Sequence, residues 1–257
     1  MKKPLLILNI VALVATIIVN YLSNTGYFNG ETMSSVSGRY ENIFTPAGYA
    51  FSIWGLIYLS LLAFLIYQAR LSSRGQQDDI NAIGAWFIIS CIANAAWVIA
   101  WLYDQIGLSV LLMIILFFSL AQIVIRLNIA TQNAPLERSL LVYLPFSIYI
   151  GWISVALIAN IAAWLTKISW NGWGISESSW AVIMIIIAGL VNLFVLWKRN
   201  MGMFALTGGW ALVAIAVANW DNASTVATVA IATAVVLILS LLIHALTGRK
   251  KQLAAVS

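Results

Sequence analysis

The sequence predicts an all-α integral membrane protein of about eight transmembrane helices, and three observations predict it. Of 257 residues, 63% are hydrophobic and only 8% are charged, too few polar side chains to cover a water-soluble domain. Mean hydropathy is +0.97. The apolar residues also fall into runs near the ~20 residues that a spanning helix needs: 4–22, 48–69, 82–103, 107–127, 139–165, 179–197, 203–220 and 223–246. Within these runs the one charged residue is Arg126, close enough to a span end to snorkel to the interface. Only closed backbone hydrogen bonding survives in lipid, so the runs are read as helices. Barrel strands would alternate in polarity instead.

Turn residues punctuate the spans: Asn24-Thr25-Gly26, Arg74-Gly75, Asp104-Gln105-Ile106-Gly107, Asn200-Met201-Gly202 and Asp221-Asn222. The third and fourth spans, and the seventh and eighth, are joined tightly enough to be hairpins. With the N-terminus inside, the cytoplasmic segments carry Lys2, Lys3, Arg70, Arg74, Arg126, Arg138, Lys198, Arg199, Arg249, Lys250 and Lys251, whereas the outer segments carry only Arg39 and Lys167. This asymmetry predicts a multi-pass protein of the cell membrane with both termini cytoplasmic. The first run is read as a retained helix rather than a signal peptide, being longer than a usual h-region and lacking a clear small-residue cleavage site.

Composition also excludes several chemistries. A single Cys91 leaves no intrachain disulfide framework and no Cys-rich metal site. A single His244 removes His-based metal clusters, and its place near the cytoplasmic end of the eighth span reads as an interface residue rather than a haem ligand. The sequence pI is near 9.4, but the basic residues sit singly or in pairs at helix ends, which does not make a nucleic-acid groove. No acid–base pair, activated nucleophile or metal cluster lies in the spans, so no catalytic residue and no metal ligand is assigned. The loop at 23–47, rich in Ser, Gly, Asn and Thr, reads equally as a functional lid and as a floppy connector.

Twelve Trp residues stand out. Trp86, Trp101, Trp164, Trp170, Trp173, Trp180, Trp197 and Trp220 fall near span ends or in outer loops, where an aromatic belt belongs, and Trp210 has no assignment. Trp54, Trp97 and Trp152 lie well inside spans two, three and five. At 1.5 Å per residue, Trp54 and Trp97 are each about 9 Å below the outer end of their spans, with Asn94 about 13 Å deep. Phe51 and Tyr58 share the Trp54 face. Trp152, Ala156 and Asn160 form one stripe at i, i+4 and i+8, with Ala156 about 13 Å deep. Three helices thus bring aromatic and amide groups to overlapping depths, and the small Ala156 leaves room beside Trp152. Phe51, Trp54, Tyr58, Asn94, Trp97, Trp152, Ala156 and Asn160 are the candidate ligand-binding residues. Buried Asn residues also serve simply as interhelical glue.

At these positions the sequence resembles the TspO/MBR family, the tryptophan-rich sensory proteins related to the mitochondrial translocator protein or peripheral benzodiazepine receptor. Phe44-Thr45-Pro46-Ala47-Gly48-Tyr49-Ala50-Phe51-Ser52-Ile53-Trp54-Gly55-Leu56-Ile57-Tyr58 is similar to the family's second-helix motif, with one proline in place of two. Asn94-Ala95-Ala96-Trp97 matches Asn-x-x-Trp of the third helix, and Trp152-Ile153-Ser154-Val155-Ala156 through Asn160 matches Trp-x-Ser-x-Ala and the following Asn of the fifth. Pro145 stands further from Trp152 than the family's usual Pro-Tyr does. The resemblance covers roughly 1–165. It implies a five-helix bundle with a pocket under the first loop for porphyrins and other hydrophobic ligands. Residues 166–257 are then a three-helix membrane extension without counterpart in five-helix members. Its small-residue pairs, Ala214 and Ala218, Ala223 and Ala227, Ala230 and Ala234, suit close packing against the first five spans or a homo-oligomer seam.

The reading that follows is a membrane receptor or sensor for a planar, hydrophobic, porphyrin-like ligand, held in an aromatic pocket in the outer half of the bilayer. No obligatory cofactor is expected; porphyrin or haem enters as ligand. The partners are the lipid bilayer and that small molecule, with no nucleic acid. A transporter of tetrapyrroles or lipids is the first alternative, although midplane charges and repeated halves are not evident. A light-dependent porphyrin-degrading enzyme, which the resemblance allows, is the second.

Overall fold

The computed structural model describes residues 3–131 and 134–254. Lys2, counted above among the inner basic residues, lies outside them, as do the side chains of Lys3, Arg249, Lys250 and Lys251. The described residues are helical, with no strand among them. Helix α1 (Lys3–Leu22) is followed by the short α2 (Met33–Arg39). A 3-10 turn at Gly48–Ser52 leads into α3 (Ile53–Ser73). Then come α4 (Asp78–Ile83), α5 (Trp86–Leu102), α6 (Ile106–Arg126) and the three-residue α7 (Leu136–Arg138). A π turn at Ser139–Tyr143 runs on into α8 (Leu144–Lys167). A 3-10 turn at Gly172–Gly174 precedes α9 (Glu177–Arg199), α10 (Gly202–Ala218) and α11 (Ser224–Ala254).

Six of these stretches are long and apolar enough to cross a membrane: Pro4–Leu22, Gly48–Ser73, Ile106–Arg126, Leu136–Lys167, Glu177–Arg199 and Ser224–Thr247. Helices α5 and α10 are apolar but have 17 residues each, about 26 Å of rise. The run 82–103 is therefore not one helix. It breaks at Gly84, whose φ of +58° and ψ of −134° suit only a residue without Cβ. In the fifth run the irregularity is milder. Pro145 offers no N–H to the carbonyl one turn back, and the turn before it widens to π geometry.

Packing divides the chain into two compact units, one of residues 1–42 with 51–170 and one of residues 43–50 with 171–257. In the first unit the helices close a ring in the order α1, α3, α8, α6, α5 and back to α1. Helix α1 shows how the sequence sets the ring. Leu6, Asn9, Leu13, Thr16 and Ser23 recur at helical spacing and are buried, whereas Ile7, Leu8, Val11, Val14 and Ile18 face outward. The interior holds Phe64, Phe87 and Phe146, with Phe64 edge-on to Phe146 at 5.0 Å between centroids. One end of the ring is tied by Arg138 to Asp79 at 2.7 Å, by the Gln68 amide donating to Asp79, and by Arg126 over the Trp86 ring.

The other end carries residues 23–42, an ordered cap rather than a floppy connector. Thr32 and Ser35 form a capping box that starts α2, and Val36 beneath it is fully buried. Asn29 donates to the Leu102 carbonyl and Trp101 to that of Met33. Trp101 is accordingly buried and is not a lipid-facing belt residue. Asp104, in the α5–α6 turn, accepts from Tyr40 at 2.7 Å and from Lys167 at 2.8 Å.

In the second unit α9, α10 and α11 pack pairwise against one another. Contact is close because small residues meet: Ala211, Ala214, Ala227, Ala230 and Ala234 are buried, but Ala218 is exposed. A Cβ on Gly208 would overlap the Asn192 amide, and one on Gly189 would strike the Thr233 methyl group.

Candidate ligand site

The site is built from α3, α5 and α8 of the first unit, with ties to α1 and α6. Trp54, in the first turn of α3, is its hub. Its ring stacks on Tyr58 one turn further along α3, with centroids 5.5 Å apart, and on Trp97 of α5 at 6.0 Å. Tyr149 and Trp152 of α8 meet it edge-on at 6.0 Å and 6.4 Å. Phe51 in turn meets Trp152 edge-on at 6.0 Å. The three indoles singled out from the sequence thus lie together, in the offset and T-shaped geometries that aromatic quadrupoles favour.

Exposure differs sharply within the cluster. Trp97 and Trp152 are 6% and 2% exposed, Trp54 and Tyr58 are half-buried, and Phe51 is 37% exposed. Ala156 is half-buried one turn beyond Trp152. The Trp152 indole N–H is buried and has no acceptor among the described residues, whereas buried indole donors usually find one.

The two amides are engaged with protein. Asn94 accepts from Asn20 of α1 at 2.8 Å and from Tyr58 at 3.4 Å, and donates to Tyr149 at 3.0 Å. Asn160 donates to Ser109 of α6 at 3.0 Å and accepts a longer bond from Trp97 at 3.4 Å. Both therefore act as ties between helices, whatever else they do. Sequence reading missed Asn20, Ser109 and Tyr149. Tyr149 had a usable signal, since it precedes Trp152 by three residues on the same face of α8. Asn20, a lone amide at the end of an apolar helix, had a weaker one.

Two polar groupings complete the setting. At the capped end of the first unit, burial disfavours the charge on Asp104, but hydrogen bonds from Lys167 and Tyr40 and the nearby Arg39 outweigh it. Its carboxyl is held below the usual value. Hydrogen bonds from Ser35 and Arg39 likewise hold Glu31 low. In the second unit His244 shares a 2.6 Å hydrogen bond with Asn200 and stands edge-on to Trp197 at 5.0 Å. Trp210, unassigned from sequence, donates to the Ala50 carbonyl and meets Tyr49 edge-on. Among the described residues no three His, Cys, Asp or Glu side chains converge as a metal site would require.

Searches of curated proteins and of solved structures gave no significant match. The family model described as TSPO-like protein matches residues 6–243. This match runs well past the five spans on which the sequence resemblance rested, so α9, α10 and most of α11 lie inside it. Three motifs in order, their indoles gathered around one hub, and a match over nearly the whole length agree: the chain is a multi-pass membrane protein of the TSPO-like family.

Proposed function

We propose that the protein is a membrane receptor that holds a planar hydrophobic ligand of porphyrin type against Trp54, Trp97 and Trp152. The observation that carries this reading is the Trp152 indole N–H, a buried donor without an acceptor beside the half-buried face of Trp54. A flat apolar body stacks on the indoles, and a carbonyl or carboxylate at its edge takes that proton donor. Phe51, Tyr58 and Ala156 border the ligand, while Asn94 and Asn160 hold the surrounding helices. No cofactor is needed for such a role, because the ligand itself is the tetrapyrrole.

In this reading the site lies in the outer half of the cell membrane, under the cap formed by residues 23–42. All eight apolar helices cross, α5 and α10 being short but each joined in a hairpin to a longer neighbour. Both termini are cytoplasmic, as the basic-residue asymmetry requires. The first five spans form the binding bundle and residues 166–257 an extension, whose exposed Ala218 suits contact with a second copy.

Titration of the protein in nanodiscs with protoporphyrin IX tests the reading. Saturable quenching of tryptophan fluorescence is expected, weakened in Trp152→Phe. No saturable binding, or equal binding by Trp152→Phe, overturns it. The light-dependent alternative draws on the contiguous Trp54, Tyr58, Trp97 and Tyr149 rings, and predicts a new porphyrin product only under illumination.

A further inference from the structure

The hydrogen bonds beside Trp54 form a chain that begins on a group able only to accept. The Thr16 backbone carbonyl accepts from the Asn20 side chain at 2.9 Å, so Asn20 turns its NH2 that way. The same NH2 donates to Asn94 at 2.8 Å, which fixes the Asn94 carbonyl oxygen toward α1. The Asn94 NH2 is then left for α8, where it donates to the Tyr149 hydroxyl at 3.0 Å. The Tyr149 oxygen is thereby an acceptor. Its own hydrogen goes to none of the described residues.

Trp152, three residues further along α8, leaves a second hydrogen over, since its buried indole N–H has no acceptor among the described residues. Tyr149 and Trp152 are each 2% exposed, and both rings stand edge-on to Trp54. One turn of one helix thus carries two spare donors beside the hub ring. The amide acceptors are already taken. The Asn94 carbonyl receives Asn20 and Tyr58, and that of Asn160 receives the Trp97 N–H. Nor is a counter-charge at hand: residues 53–69, 86–102 and 144–166, the stretches of α3, α5 and α8 around the site, hold no charged side chain. At the capped end, Arg39 and Lys167 are paired with Glu31 and Asp104.

A buried donor without an acceptor carries a desolvation cost that an incoming acceptor relieves. An ionised carboxylate would be the strongest acceptor, but it would bring an unpaired charge into an apolar interior, at a cost two neutral donors do not return. A neutral carbonyl supplies the lone pairs without that cost. We infer that the site selects a flat ligand whose inserted edge carries a neutral carbonyl, as in an ester, amide or lactam. Tyr149 joins Trp152 as a specificity-determining donor, and Asn20 is the positioning residue that, through Asn94, keeps the Tyr149 hydrogen free. The inference deepens the receptor reading above and rests on it.

The test uses the full-length protein in nanodiscs with three porphyrins of one shape. Protoporphyrin IX dimethyl ester carries neutral carbonyls, protoporphyrin IX carries propionates that are ionised at neutral pH, and etioporphyrin carries alkyl groups alone. The ester should bind about tenfold or more tighter than either of the others. Tyr149→Phe and Asn20→Leu should each lower the ratio of ester to etioporphyrin affinity about three- to tenfold, the equivalent of one ordinary hydrogen bond. In Asn20→Leu this follows because Asn94 is free to turn its carbonyl to the Tyr149 hydrogen; a general loosening would weaken both ligands alike and leave the ratio unchanged. Without ligand, the tyrosine Raman doublet in the difference between wild type and Tyr149→Phe should show a phenol that accepts, moving toward a donor when the ester is added. Should Asn20→Leu fail to fold, that spectrum decides the relay. Tighter binding of protoporphyrin IX than of its ester, or equal binding of etioporphyrin and the ester, overturns the neutral-carbonyl edge. An unchanged ratio in Tyr149→Phe overturns its role, and a donor signature in the free protein overturns the relay. If none of the three binds, the receptor reading falls and the ligand preference with it, while the Raman spectrum still decides the relay.

Discussion

The two units solve one problem in opposite ways. Lipid tails are as apolar as leucine, so burying hydrophobic side chains gives helices little reason to associate in a membrane. The first unit associates through large rings and amide ties: Phe64 on Phe146, Trp54 on Trp97, Asn94 joined to Asn20 and Tyr149, and Asn160 joined to Ser109. The second unit brings backbones close at Gly189, Gly208 and the buried alanines of α10 and α11. In the proposed reading a flat molecule enters among the rings of the first unit, beside the half-buried Trp54 and Tyr58. Closely apposed glycine and alanine faces leave no such room. The aromatic unit is thus the one to which the proposed ligand site belongs, and the small-residue unit is the one in which added volume has least room.

The strongest way to break this contrast is to add volume where the second unit has none. Gly208→Val should destabilise that unit by about 1–3 kcal/mol, the range for overpacking a filled interior. It is seen as a lowered melting temperature in detergent. Gly208→Ala should do the same more mildly, and pairing it with Asn192→Ala should restore most of the loss, since the amide is what the new methyl group meets. If Gly208→Val melts like the wild type, close packing is not what holds α9 to α10.

Added volume in the first unit should instead be felt by ligand. Ala156→Leu fills the space one turn beyond Trp152, and an affinity loss of about tenfold or more is expected, equivalent to at least ~1.4 kcal/mol. Its melting temperature should fall less than that of Gly208→Val. Removing one indole at a time is gentler. Trp54→Phe, Trp97→Phe and Trp152→Phe each give up part of a stacking contact worth about 0.5–1.5 kcal/mol beyond burial, so affinity should weaken about three- to tenfold. Trp173, 77% exposed in a loop of the second unit, should tolerate Phe without change. Equal losses at Trp173 and Trp152 would remove the basis for a local site.

How much of this was legible in the sequence differs between the units. Helix depth alone put Trp54 and Trp97 at one level and Asn94 and Ala156 at another just below, because rise per residue is nearly constant and the span ends were marked by turns. Tertiary choices were less visible. Nothing local says that Gly84 rather than Gly55 would break a helix, since that depends on the φ the chain is forced to adopt. That Ile43–Ala50 packs with α9 and α10 was hidden too. Its partners, Glu177, Trp210, Ala214 and Asn219, lie more than 130 residues downstream, and pairing at that separation leaves no periodic trace. The resemblance had suggested that the last three helices stand outside the family pattern; the family match through residue 243 includes them.

The smallest expected effect concerns the cap on the first unit. Asp104 joins Tyr40 and Lys167, and Arg39 lies 3.8 Å away. Its carboxyl titrates below the usual value, so the native state favours the ionised form. The stabilisation is complete above the unfolded value of ~3.9 and is lost as pH falls through the lower native value, while Arg39 and Lys167 stay charged throughout. The side chain is 38% exposed, which keeps the contribution in the ~0–1 kcal/mol range of surface pairs. Hydrogen-exchange protection across residues 29–40 should therefore be flat from neutral pH down to about 5 and decline below the carboxylate range. In Asp104→Asn the protection at neutral pH should drop slightly, and most of the acid-induced decline should disappear, leaving a remnant from Glu31, whose carboxyl is also held low. A variant that keeps the full wild-type pH profile would show that Asp104 does not latch the cap.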